Sequence, residues 1–390
     1  FSVVSGGFEK RPASIFVGKL DLDTAKNWAI HIGEREVDER YVFCLNEDGD
    51  IKIFDLDSGA PVAVNAYSTA LRDYLTAGGD VDNISFVSRE DYTFVINKSV
   101  VTAMGAIDSS AYVGEVEEFE DLPGLRDYPK DGDGWRVNNG GTQADDDYYV
   151  WSDANSSWAL TYEGTGFPEN FKIVGECRDA ADLPTALLPD PTDGDIWKVA
   201  NKATRSDDYY VVWDEEVGKW LDIADPFIAN KIDSSTMPHA LLRQGDGTFS
   251  LETINWNDRG VGNETLVPDP VFIGKGVEDV CIHKNRLGLL AGNTVMLSQS
   301  GDLFNYWPEH AAQVVDSDPV DRVASSRLAV KLRYGIPFRK TLFLTSDSDQ
   351  FELTSGSFLP PKDASLDYTT GYKSSSKCRP VVMGAVLYSP

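Results

Sequence analysis

Short apolar pairs cut by turn residues constrain this chain more than any other feature. Val280 and Ile282, Leu287 and Leu289, then Val295 and Leu297 recur between residues 278 and 307. Residues two apart share one face of a strand, so each pair faces one side of a sheet. Lys284-Asn285 and Gly292-Asn293 supply the turns, which predicts a three-stranded meander. Thr341 to Thr345 and Gln350 to Thr354 repeat the arrangement, with Leu342 and Leu344 on one face and Phe351 and Leu353 likewise. Cys378 to Tyr388 reads as the start of another such unit.

The N-terminal part follows the same grammar. Tyr41 to Leu45 and Ile51 to Phe54 flank the turn cluster Asn46-Glu47-Asp48-Gly49-Asp50, a hairpin. Ile84 to Val87 and Tyr92 to Ile96 form a second pair around Ser88 to Asp91, and Tyr67 to Leu75 predicts a short helix ended by Gly78-Gly79. Ser325 to Tyr334 fits a helix through Leu328 and Leu332, and equally a strand through Leu328, Val330 and Leu332. Several short meanders of this kind suit a mainly β fold with β-propeller-like sheets better than one large sheet, although a sandwich of the same strands reads the same way.

The middle of the chain is duplicated. Asp121-Leu122-Pro123, Asp131-Gly132-Asp133-Gly134-Trp135, Asp146-Asp147-Tyr148-Tyr149 and Trp158 return in order as Asp182-Leu183-Pro184, Asp193-Gly194-Asp195-Ile196-Trp197, Asp207-Asp208-Tyr209-Tyr210 and Trp220. Each copy is poor in aliphatic residues, so Trp135, Tyr149, Trp151 and Trp158, and then Trp197, Tyr210, Trp213 and Trp220, are expected to fill two small inserted β-rich modules. The expected organisation is a propeller or platform segment over 1–114, module copies over 115–175 and 176–233, and a second propeller segment over 234–390. Phe1 is not a methionine and Val381 to Pro390 reads as a strand just begun, so the chain reads as truncated at both ends.

Candidate chemistry is sparse. The Asp-rich loops lack EF-hand spacing and read as turns. His31, His239, His283 and His310 form no HExxH, and neither GxSxG nor a P-loop pattern occurs. Cys44, Cys177, Cys281 and Cys378 are widely spaced and read as buried free thiols. Hence no catalytic, metal or cofactor site is expected. Acidic residues outnumber basic ones 63 to 35, giving a formal charge of −28, which argues against a sequence-reading DNA-binding protein.

Specific strings carry a resemblance. Ser5-Gly6-Gly7-Phe8-Glu9-Lys10-Arg11-Pro12, Met237-Pro238-His239, Asn285-Arg286-Leu287-Gly288, Phe304-Asn305-Tyr306-Trp307-Pro308, Asp316-Ser317-Asp318-Pro319 and Cys378-Arg379-Pro380 stand in this order. Together they resemble tail tubular protein B, the tail nozzle family of short-tailed bacteriophages of the autographivirus type. The resemblance implies a non-enzymatic virion protein at the distal end of the tail, assembled in the bacterial host cytoplasm. It implies a homo-hexamer with a β-propeller and inserted domains, partnered by the tail tubular protein A adaptor, tail fibres, the passing double-stranded DNA and the host envelope. One aromatic module per chain is the family expectation, so the tandem copy is a departure. As motif residues, Gly6, Gly7, Glu9, Lys10, Arg11, Pro12, Pro238, His239, Asn285, Arg286, Leu287, Gly288, Trp307, Pro308, Asp316, Asp318, Pro319, Arg379 and Pro380 are assigned to scaffold. A salt-bridged Arg286 or Arg379 and a turn at Asp318-Pro319 are expected to fix the joins between blades. A carboxylate-lined channel would repel DNA and keep it moving, whereas acidity that merely keeps the protein soluble is the plainer reading. The competing function is a carbohydrate-binding or depolymerising tail component that uses Trp135, Trp151, Trp158, Trp197, Trp213 and Trp220 on host polysaccharide.

Overall fold

The computed structural model describes residues 16–36, 38–89, 91–106, 183, 191, 194–199, 209–226, 228–356 and 359–389 in full. It describes strand backbone alone at 2–4, 7–9, 114–116, 134–137, 147–152, 157–162 and 173–177. Gly6, Lys10, Arg11 and Pro12 lie outside the described residues. Gly7 and Glu9 are described as strand backbone. Two units form, Phe1–Val100 with Pro238–Ile254, and Val101–Met237 with Asn255–Pro390. Among the described residues no helix is long and apolar enough to cross a membrane.

In the first unit, β1 (Ser2–Val4) pairs with β2 (Gly7–Glu9). β3 (Trp28–Glu36), β4 (Glu39–Asn46), β5 (Ile51–Asp55) and β6 (Pro61–Val62) make a four-stranded antiparallel meander. The expected hairpin is its centre, with Gly49 at φ 78° in the turn. Helix α1 (Thr69–Thr76) starts two residues later than its apolar pattern because Ser68 caps it, its hydroxyl accepting from Leu71 N. Gly78 and Gly79, at φ 82° and 65°, end it. β7 (Ile84–Arg89) and β8 (Tyr92–Asn97) follow.

The chain then leaves this unit. β9 (Gly114–Val116), β10 (Gly134–Val137), β11 (Asp147–Ser152) and β12 (Ser157–Tyr162) form one sheet; β13 (Ile173–Cys177), β14 (Ile196–Val199), β15 (Tyr209–Asp214) and β16 (Lys219–Ile223) form another. In both the first strand runs parallel to the second and the rest is antiparallel, so the sequence duplication is a duplication of topology. The register pairs Trp151 with Trp158, and Trp213 with Trp220. In the second copy the core is less aromatic than the sequence suggests. Ile196 and Tyr210 pack with Val212 and Ile223 on one face, and Val199 and Val211 with Trp197, Tyr209 and Trp220 on the other. Entry and exit of the 101–237 segment are zipped together by the Met104–Ile232 bridge, Gly105 N to Lys231 O (2.8 Å) and Asp233 N to Ala103 O (3.0 Å).

β17 (His239–Arg243) and β18 (Phe249–Thr253) return to the first unit, where β17 pairs with β8 and gives the order β18-β17-β8-β7. The core between this sheet and the first one holds Phe43, Leu45, Ile53, Phe86, Val95, Leu241 and Phe249.

In the second unit, β19 (Val277–His283), β20 (Arg286–Ala291), β21 (Thr294–Leu297) and β22 (Val320–Val323) make a four-stranded meander. The sequence showed three of these strands. The fourth arrives after the long 298–319 connection, whose polar turns hide it. β23 (Leu332–Phe338), β24 (Thr341–Ser346), β25 (Gln350–Thr354) and β26 (Ser365–Thr370) repeat the pattern. The ambiguous 325–334 stretch is therefore irregular until Leu332 and then a strand. Leu342 faces Leu353 and Leu344 faces Phe351, all at most 1% exposed; such residues contribute about 1.5–3 kcal/mol each by burial. β27 (Val381–Met383) and β28 (Val386–Tyr388) form a final hairpin. None of these sheets closes on itself. Cys44 and Cys281 are buried as expected, but Cys378 is exposed, because it sits in the polar run after β26. The Cys177 side chain lies outside the described residues.

Candidate functional site

The family-type residues of the second unit gather where β19 to β23 meet. The β19–β20 turn is two residues long, with Lys284 and Asn285 at φ 49° and 58°, the left-handed pair such hairpins require. The next residue, Arg286, is fully buried. Its Nη1 donates to the carbonyls of Ser298 (2.8 Å), Ser317 (3.1 Å) and Asp318 (2.7 Å), and its Nη2 to Asp316 O (2.8 Å). The sequence predicts a salt bridge at Arg286 or Arg379; Arg379 is the one that pairs with a carboxylate, whereas the Arg286 guanidinium gathers carbonyls from both ends of the 298–319 connection. Burial holds its pKa below the usual arginine value, with Asp318 opposing.

Asp318 completes the connection from within. Its carboxylate accepts from Glu309 N (3.0 Å) and Val315 N (2.8 Å), and Pro319 then leads into β22. Trp307 is buried, donates from Nε1 to Asn257 O (2.9 Å) and lies under the Arg259 guanidinium, 4.6 Å from its centroid. Arg259 is in turn paired with Asp269. Pro308 is half-buried beside it. Leu287 is buried, and a Cβ on Gly288 would stand 2.7 Å from Cys281 Sγ and 2.8 Å from Leu297 Cδ2, so that strand position admits only glycine without repacking.

A second joint links the two meanders. Asp279 is fully buried; its Oδ2 accepts from Gly335 N (2.8 Å) and its Oδ1 from Arg379, whose Nη2 also donates to Gly335 O (3.0 Å). Burial pushes the Asp279 carboxyl above its usual range and Arg379 pulls it back. Pro380 beside it is buried. The neighbouring Glu278 is held by Lys331 (2.6 Å) and Arg333 (2.9 Å), and Arg333 holds Asp347, whose pKa its hydrogen bond lowers. Sequence reading missed Asp279, Glu278 and Gly335. The available signal was two acids at consecutive positions of an otherwise apolar strand, one of which must point inward.

In the first unit, Pro238 and His239 are buried, and the His239 imidazole stacks on Tyr74 with centroids 3.8 Å apart. Of the aromatic candidates, Trp213 is buried and meets the half-buried Trp220 edge-on at 5.4 Å, as the half-buried Trp197 does at 6.3 Å. Trp135, Trp151 and Trp158 are described by backbone alone. No cluster of three or more metal-ligating side chains occurs among the described residues.

His283 ends β19 in a buried position, and burial, helped by Lys284, pulls its imidazole down to about 4. An unfolded histidine titrates near 6.5. The folded state therefore resists a proton that the unfolded state accepts, and stability is lost as pH falls from about 6.5 toward 4, by about 3 kcal/mol at most. Urea unfolding at pH 7 and pH 4.5 is expected to show a smaller acid loss in His283→Gln than in the parent; equal losses would remove His283 from the account.

What converges here is a set of joints: carbonyls gathered by one arginine, an acid clamped between sheets, a tryptophan wedged under a cation. That is the chemistry of a scaffold protein. The model of the bacteriophage nozzle protein family matches residues 1–113 and 168–389, and the chain belongs to that family. The match leaves out 114–167, which holds the first of the two duplicated sheets. The chain is also 28% identical over 425 aligned residues to the tail tubular protein gp12 of Escherichia phage T7, with 98% of this chain and 53% of that protein covered. It thus spans about half the length of that relative. A solved protein from Lactobacillus plantarum aligns over 90% of this chain and 68% of its own at 9% identity, with a TM-score of 0.23.

Proposed function

We propose that the chain is a structural, non-enzymatic subunit of the nozzle at the distal end of a short phage tail, assembled as a hexameric conduit for double-stranded DNA. The family match carries this reading. In it, the four-stranded meanders are blades of a propeller, a view supported by the way first strands of successive sheets touch. His31 Nε2 on β3 meets Ser88 Oγ on β7 at 3.0 Å, and Asp279 on β19 meets Gly335 on β23. The adaptor above and the fibres around the ring are its protein partners, with assembly in the host cytoplasm and contact with the host envelope on infection. The charge of −28 per chain supplies the mechanism: DNA phosphates release no counterions to a carboxylate-rich wall, so the genome slides without adhering.

Electron cryomicroscopy of the purified assembly tests this. A sixfold ring whose lumen carries net negative charge is expected. A solitary particle overturns the conduit, and a net basic lumen overturns the sliding mechanism.

A further inference from the structure

Two hairpin tips at one end of the second unit carry cations without carboxylates. The Asp279–Gly335 hydrogen bond, 2.8 Å, sets β19 beside β23. The same chain step leads from Asp279 to Lys284 and from Gly335 to Lys340, the tips of the two hairpins. Lys284 Nζ donates to Gly356 O at 2.7 Å, just past β25, whose Leu353 pairs with Leu342 beside the second tip. Arg339 reaches the third tip, donating to Ala385 O at 3.2 Å, and its guanidinium lies over Phe338. Lys284, Arg339 and Lys340 therefore stand together at one end, and Arg339 and Lys340 are exposed.

Their setting is unusual for this chain. Lys331, Arg333 and Arg379 in the same unit each hold a carboxylate, whereas Lys284, Arg339 and Lys340 hold none among the described residues. Burial and the nearby Lys340 both depress the Lys284 ammonium. Lys284 and Arg339 also take the left-handed conformation, at φ 49° and 56°, where asparagine or glycine is the easier choice. The hairpin turns account for those backbone angles, but not for three like charges placed at one surface.

We infer that this cationic tip docks on a carboxylate-rich surface of a second copy of the chain, an inference that rests on the ring reading above. Charge complementarity names the occupant. At physiological salt the Debye length is about 8 Å, so the long-range repulsion between acidic copies is screened and the local charges at contact decide. A second copy, with 63 acidic residues against 35 basic, offers such a surface. Three cations against a charge of −28 make a poor DNA site by comparison.

The test uses the whole purified chain, following its mass against concentration by light scattering in 0.15 M salt, for the parent, Lys340→Glu and Lys340→Arg. Lys340 is exposed at a turn, so folding should survive, and matching circular dichroism melts check this. Lys340→Glu is expected to raise the assembly midpoint about tenfold or more, with Lys340→Arg close to the parent. If the parent assembles and Lys340→Glu matches it, the docking surface falls and the ring stands. If the parent stays single at every concentration, both fall. If Lys340→Glu leaves assembly unchanged but weakens retention of duplex DNA, the tip serves phosphate and the proposal is overturned.

Discussion

Arg286→Met is expected to destabilise the second unit by about 5 kcal/mol or more, the largest single effect in the molecule. The side chain is fully buried and its donors serve four carbonyls, of Ser298, Asp316, Ser317 and Asp318. Methionine fills much of the volume but takes the donor from the carbonyls of Ser298, Asp316 and Asp318, while Ser317 O keeps Ser300 N at 2.9 Å, and each buried group so orphaned costs about 1–3 kcal/mol. Arg286→Lys should recover little, because one ammonium cannot span carbonyls from both ends of a connection. Urea unfolding read by the fluorescence of buried Trp307, with hydrogen exchange over 298–319, checks it. Parent-like stability in the methionine variant would show that the connection holds itself.

Arg379→Ala comes next, at about 3–5 kcal/mol at neutral pH, the usual cost of stranding a buried charge. Asp279 remains fully buried with main-chain N–H groups, of Gly335 and Val280, in place of a countercharge. Because burial raises its pKa and Arg379 opposes that rise, removing the arginine lets the carboxyl climb further. A folded-state pKa above the unfolded one means stability lost as pH rises and regained as pH falls toward the unfolded value. The variant's deficit relative to the parent should therefore shrink between pH 7 and 5. Asp279→Leu with Arg379→Met should cost much less than Arg379→Ala alone, since no charge is stranded. A deficit under about 1 kcal/mol, unchanged by pH, would mean that water reaches the site and the clamp is nominal.

The meanders were legible because their apolar residues alternate and their turns carry Asn, Gly and Asp. Leu342, Leu344, Phe351 and Leu353 took the faces that alternation assigns, and Lys284-Asn285 turned where expected. Periodicity says nothing, however, about partners far along the chain. β17 pairs with β8 across residues 98–238, and no local pattern in His239 to Arg243 announces that neighbour. Asp279 was equally silent, since an acid in a strand ordinarily marks the wet face and its partner Arg379 lies a hundred residues away. Arg286 and Trp307 were found only through resemblance, and of the two arginines expected to form an ion pair Arg379 does so while Arg286 does not. An arginine that binds main-chain carbonyls leaves no complementary residue in the sequence.

The zipped ends of the 101–237 segment bear on how such chains diversify. Because Met104 meets Ile232 and Ala103 receives Asp233 N, the excursion leaves and returns through one narrow doorway. Closure entropy grows only logarithmically with what lies beyond, so adding a second copy of a self-contained sheet there costs the host fold about 0.6 kcal/mol per doubling of length. Evolution can lengthen, repeat or delete material at that doorway while the neighbouring architecture is inherited unchanged.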